Sequence, residues 1–311
     1  MRRWRDWWML GAAGLTLLAL THACSRTSSK GVALDSSIEK LIPGDTVVLA
    51  GARVTEVEAS PIYKRIMGDR VFPELEEFAK QTGLDPRRDL KEIVFASNGT
   101  SALMIARMTV ADIPKLESVI EKRGARRMQA GSHTMFGSEE GAVSFVSNSI
   151  AIAGKTENLR DLLSGKQVDD LKKRNVLAKV ASLPQDKHIW VVAVGGFAPM
   201  PLPAEGNLAN LNRIFQSLDT TLLTLDLRDG VSLAAQGFCT NDAGAKQLHN
   251  TLRGLIGFGR LSTSADNPEI LKFYDSIKVE QDKTEVKVNA DVPMDMVDRF
   301  LKLTEKKKPA A

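Results

Sequence analysis

Residues 90–108, Leu-Lys-Glu-Ile-Val-Phe-Ala-Ser-Asn-Gly-Thr-Ser-Ala-Leu-Met-Ile-Ala-Arg-Met, decide the fold. Two apolar runs, Leu90 to Ala96 and Thr100 to Met108, flank Asn98-Gly99. Asn-Gly adopts the left-handed turn conformations that a tight hairpin needs, so the stretch reads as two antiparallel strands. Asp112 follows as the cap of a helix running to about Arg123, because a short acceptor side chain there satisfies free N–H groups of the first turn. Hairpins and separate helices in one chain make the class α+β.

Working outward, the segment Thr46 to Val57 is a core signal that follows the turn Leu41-Ile42-Pro43-Gly44-Asp45. Helical patterns cover Pro61 to Met67 and Pro73 to Gln81, the second closed by Gly83. Beyond Arg123, strands are expected near Met128–Phe136, Gly141–Val146 and Ile150–Ala153, then a helix from Thr156 to Leu163. The order then recurs. Leu183-Pro184-Gln185-Asp186 mirrors the earlier turn, Ile189 to Val194 reads as a strand, and Asn207 to Leu218 reads as a helix. Strands Thr221–Leu227 and Val231–Phe238 meet at Asp229-Gly230, and Asp242 caps a helix to about Ile256. A hairpin of Ser276–Gln281 and Thr284–Val292 follows, and Pro293 opens a last helix to about Leu303. The turn glycines Gly99 and Gly230 lie 131 positions apart, and the caps Asp112 and Asp242 lie 130 apart. The expected architecture is therefore two similar α+β repeats, 38–174 and 175–308. Each is an antiparallel sheet with helices on one face, and the sheets can join edge to edge.

Ahead of these units stands an export signal. Arg2, Arg3 and Arg5 precede the apolar run Trp7 to Leu20, and Thr21-His22-Ala23-Cys24 follows. Acylation of Cys24 as a lipoprotein is the favoured reading. Leu20 and Ala23 suit it, while Thr21 and His22 are poor matches. Plain cleavage after Ala23 and a retained anchor are the alternatives, the last disfavoured because about 14 apolar residues fall short of the roughly 20 that span a bilayer. Residues 1–23 are then the signal peptide and 24–37, small and polar, a flexible tether. Removing the signal lowers the net charge from +4 to about +2, so the basic balance is weak evidence for nucleic acid, and no nucleic-acid partner is expected. The second cysteine, Cys239, sits in a strand and reads as a small buried apolar residue.

The segments Leu41-Ile42-Pro43-Gly44-Asp45, Thr82 to Leu90, Ala96-Ser97-Asn98-Gly99 and Leu252-Arg253-Gly254-Leu255-Ile256-Gly257 resemble an uncharacterised family of bacterial exported or lipoprotein-like proteins. The resemblance covers nearly the whole mature chain. It implies location in the cell envelope and carries no activity or catalytic residue.

Motifs of known chemistry are missing. The sequence has no G-x-S-x-G, H-E-x-x-H or C-x-x-C. Gly154-Lys155 and Gly165-Lys166 have Ser149 and Arg160 where a P-loop needs glycine. Gly257-Phe258-Gly259 follows a helix rather than a strand and reads as a flexible helix exit. His133, His188 and His249 sit on different elements without metal-ligand spacing, so no catalytic residue, metal or cofactor is assigned. Glu139-Glu140 and Asp169-Asp170 read as solvated neighbours. The basic clusters Lys122/Arg123/Arg126/Arg127, Lys172/Lys173/Arg174 and Lys306–Lys308 read as solvated helix ends. One loop, Gly195 to Gly206, offers Phe197, Met200 and Leu202 as partner or lipid contacts. The functional expectation is a non-catalytic, membrane-tethered envelope module that binds a protein partner. A carrier of an apolar ligand is the first alternative and an envelope hydrolase using His133 or His188 the second.

Overall fold

The computed structural model describes residues 31–68, 72–166, 169–196 and 218–306, with side chains as far as residue 301. The signal segment, Cys24, the residues Phe197, Met200 and Leu202, and all but the last residue of the helix expected over Asn207–Leu218 lie outside these residues.

Strand β1 (Val48–Arg53) holds the centre of a sheet. It pairs with β2 (Leu90–Ser97) on one side and β8 (Ile189–Val194) on the other. Outward from β2 come β3 (Ala102–Met108), β7 (Ile150–Gly154), β6 (Ala142–Ser147), β5 (His133–Gly137) and β4 (Arg126–Ala130). Outward from β8 come β9 (Leu218–Asp226), β10 (Gly230–Cys239), β12 (Glu285–Pro293) and β11 (Lys278–Asp282). Every pairing is antiparallel, and the described residues make one twelve-stranded sheet. At the β1–β8 seam Gly51 lies opposite Trp190. A Cβ on Gly51 would fall inside contact distance of the indole, so the seam closes only over glycine.

Residues paired across an antiparallel ladder share a face, and neighbours along a strand point to opposite faces. One face carries Leu49, Val94, Leu103, Ile105, Ile152 and Val192. Against it pack Ile38 from α1 (Ser36–Glu39), Leu159 from α7 (Thr156–Leu163), and Val176 and Val180 from α8 (Leu171–Val180). Helix α9 (Asp242–Leu261) lies on the other face. Its Ala245 and Leu248 pack with Val286, whose cross-strand partner Gly237 points away from Phe238 on the first face. The remaining helices are α2 (Val54–Ala59), α3 (Pro61–Met67), α4 (Pro73–Thr82), α5 (Pro86–Asp89), α6 (Ile113–Lys122), α10 (Pro268–Ser276) and α11 (Met294–Lys306).

The mixed, antiparallel α+β class is the expected one. The strands form a single sheet, the edge-to-edge arrangement the sequence allowed, and one feature differs from expectation: helices lie on both faces, not one. Ile-Trp-Val-Val-Ala-Val in β8 shows why, since a strand apolar at every position can be covered twice. Several boundaries also move. The run Thr46 to Val57 stops being a strand at Arg53, where α2 begins. The expected Met128–Phe136 strand is two strands, folded at Gly131 with a left-handed φ of 58°. Asn241, not Asp242, caps α9, accepting from the Gly244 N–H at 2.8 Å. The Gly257–Gly259 stretch continues α9 to Leu261 rather than ending it. Pro293 closes β12, and α11 starts at Met294. Residues 31–34 already belong to the fold: Gly31 bridges to Pro184, and the Val32 N–H donates to the Leu183 carbonyl at 3.0 Å.

Candidate functional site

The register of the sheet aligns one residue from each of eleven strands across the second face; on the twelfth, β4, the residue paired with Phe136 is Arg127. From β1 toward β5 the directly paired residues are Ala50, Phe95, Met104, Ala153, Val143 and Phe136. From β1 toward β11 they are Ala50, Val191, Leu223, Ala235, Val288 and Val279. All are apolar, and among them only Phe136 is buried. The middle of the row is open: Phe95 is 39% and Met104 47% exposed, side by side on β2 and β3.

A half-solvated antiparallel sheet ordinarily alternates apolar inward with polar outward. Here Val94 and Ala96 point into the core, and Phe95 between them points out. Leu103 and Ile105 do the same around Met104. The flanking Ala50 and Ala153 are small, so the floor is shallow and a partner can approach the backbone closely. Covering the remaining surface of Phe95 and Met104 is worth on the order of 4 kcal/mol at about 25 cal/mol per Å². The eleven aligned residues carry no titratable group, which suits this surface to apolar contact.

A second apolar surface lies on α9. Its first half is anchored by Ala245 and Leu248, while Leu255, Phe258 and Leu261 project outward at three-residue spacing. Phe258 is 70% and Leu261 86% exposed.

Charge concentrates elsewhere, at the β8–β9 end of the sheet. Asp226 accepts from Arg228, and from Lys187 Nζ at 3.0 Å. The Arg228 hydrogen bonds, then those from Lys187, hold the Asp226 carboxyl well below its ordinary value against the opposing effect of burial. Arg228 also donates to Asp186 at 2.6 Å. Buried His188 uses Nδ1 to accept the Leu227 N–H at 3.1 Å, with Asp226 Oδ1 3.5 Å away. That nitrogen is committed to the backbone, and Ser60, which lines the same cleft, donates its hydroxyl to the Val57 carbonyl. His133 lies on β5, and His249 on α9 pairs with Asn250, so the histidines do not converge. Among the described residues no group of three or more acidic, histidine or cysteine side chains is placed to hold a metal.

Three arginines of the basic clusters have described partners. Arg127 binds Glu121 at 2.8 Å and stacks 5.0 Å over the Phe136 ring. Arg123 donates to Gln81, and Arg174 pairs with Asp170 at 3.2 Å. Lys172, Lys173 and Arg174 occupy the first turn of α8, not a C-terminal end where cations meet a favourable dipole. Cys239 is buried, and burial pushes its thiol pKa up. Among the described residues no helix is long and apolar enough to cross a membrane. The apolar row escapes sequence reading because the identity of Phe95 and Met104 is visible while their shared register and lack of cover are not.

No protein-family model matches the chain, and no curated protein matches it. Its fold is similar to solved structures of TP0453. Crystal form I is 9% identical over 86% of this chain and 97% of that one, with a TM-score of 0.46. Crystal form III is 10% identical over 83% and 93%, with a TM-score of 0.47.

Proposed function

We propose that this chain is a non-catalytic binding module, exported and held at a bacterial envelope membrane through an acylated Cys24, that engages a protein partner through the apolar row of its sheet. The observation that carries the reading is the exposed Phe95–Met104 pair at the centre of that row. Its alanine-lined floor suits an amphipathic helix laid across it, the recognition mode in which apolar anchors at helical spacing fill a groove. The seven residues from Cys24 to Lys30 reach at most about 25 Å, which keeps the fold beside its membrane and restricts partners to those at the same surface.

The carrier reading has less support. It calls for an enclosed apolar cavity. Three clefts, of about 340, 430 and 420 Å³, carry charged side chains such as Asp45, Lys173, Asp226 and Arg228 on their walls. The hydrolase reading also has less support, because His188 Nδ1 accepts the Leu227 N–H and the Ser60 hydroxyl in the same cleft is given to the Val57 carbonyl. The test is native mass measurement of the protein extracted from its own membranes in mild detergent, beside a Phe95→Glu/Met104→Glu variant. The reading expects a mature start at Cys24 with acyl mass, and a partner that leaves when the two charges enter. A partner retained by the variant moves the interface elsewhere, and a start at Cys24 without acyl mass removes the tether.

A further inference from the structure

A cleft of about 340 Å³ opens at the tip of the β2–β3 hairpin. The turn Pro43 to Thr46 forms one wall, Ser97, Asn98 and Ser101 another, and α7 and α8 the third. Ala96, Leu103 and Leu162 make the apolar floor. The backbone holds the walls together, because the Lys173 N–H donates to the Gly44 carbonyl at 3.0 Å. Most polar groups here are engaged with one another. Asn98 donates to Asp45 Oδ2 at 2.6 Å, and Lys166 binds Asp161 through one carboxylate oxygen at 2.5 Å.

Two groups are not engaged. Among the described residues the Lys173 ammonium makes no hydrogen bond or ion pair, and the Asn158 carboxamide makes no hydrogen bond. Lys173 is half-buried, and among the described lysines it is the one whose pKa is pushed down, by burial first, with Glu39 and Asp170 opposing more weakly. A partly desolvated cation with no close partner favours a bound anion. Asp45 on the turn wall and Asp161, one turn beyond Asn158 on α7, each keep one carboxylate oxygen left over, while Asp170, also on the cleft, pairs with Arg174. Those charges would repel a polyanion and accept from hydroxyl or ammonium donors.

We propose that this cleft binds a small polar molecule bearing one carboxylate, which sits on Lys173 and Asn158, while donor groups on the rest of the molecule face Asp45 and Asp161. An α-amino acid and a sugar acid share this chemistry, and the volume suits either. The site goes beyond the partner surface, uses none of its residues, and stands or falls independently of it.

The experiment is saturation-transfer NMR on the full mature chain with two probe pools, the common amino acids and the uronates glucuronate and galacturonate, each at millimolar concentration. Glucose and acetate serve as probes lacking one half of the chemistry. The proposal expects saturable binding from one pool, which identifies the source, and at least tenfold weaker binding of glucose and acetate. Lys173→Met should lose that binding tenfold or more without lowering Tm, since it removes an uncompensated charge, and Lys173→Arg should retain part of it. Failure of both pools to bind, or equal binding by Lys173→Met, overturns the proposal. If Lys173→Met lowers Tm, the lysine is structural, and unchanged binding by Asn158→Ala in a folded protein then overturns the site.

Discussion

Asp226 is a carboxylate whose neighbours set its contribution to stability. Arg228 and Lys187 hold its pKa below the ordinary 3.8, so the folded state binds its proton less readily than the unfolded chain does. The sign follows from linkage: the stabilisation is complete above the unfolded value and is lost as pH falls below about 4 toward the depressed folded value. Asp226→Asn should therefore cost about 2 kcal/mol at pH 7, and progressively less as pH drops to 3. Urea midpoints across that range check it, and a cost independent of pH would contradict it. Gly51 gives a second residue-scale prediction. Gly51→Ala forces a methyl against the Trp190 ring and should destabilise by about 1–3 kcal/mol, with much of the loss recovered in Gly51→Ala/Trp190→Leu. Additive losses in that double-mutant cycle would contradict the contact. None of these partnerships is legible in the sequence. Asp226 and Lys187 are 39 positions apart and meet only once β8 and β9 pair.

Helices and hairpins were legible where a local rule determines them. Asn98-Gly99 folds β2 onto β3, and Asp112 caps α6, accepting from the Lys115 N–H at 2.9 Å. Reading was poorer where two neighbouring residues satisfy the same rule. Asn241 and Asp242 are both good caps, and the fold uses the first. Asn241→Ala should cost about 1 kcal/mol and Asp242→Ala a few tenths, measured by chemical denaturation; the reverse order would restore the sequence reading. Helices α8 and α10 went unread because the first opens on consecutive charged residues and the second follows a short polar turn. The exposed end of α9 separates apolar composition from burial. Leu255→Ser/Phe258→Ser/Leu261→Ser should lower stability by about 1 kcal/mol or less, whereas Leu159→Ala in the closed core should cost about 2–5 kcal/mol. A large loss from the triple change would mean that this surface is covered.

At the scale of the molecule, the register of the whole sheet generates the surface on which the functional reading rests. The apolar runs were visible from the start, yet eleven strands had to align before one apolar row could run across them. The joining of β1 to β8 turns two short apolar faces into one broad one, with Phe95 and Met104 at its open centre. Nothing in the sequence distinguishes an outward Phe95 from an inward one without that pairing. The measurement that tests the central claim most directly is site-specific photocrosslinking in native membranes, with benzoyl-phenylalanine placed at Met104 and, as a control, at exposed Lys246 on α9. The account predicts one discrete protein adduct from position 104, absent from position 246 and abolished by Phe95→Glu. Adducts to lipid alone from position 104, or the same protein adduct from both positions, would contradict it.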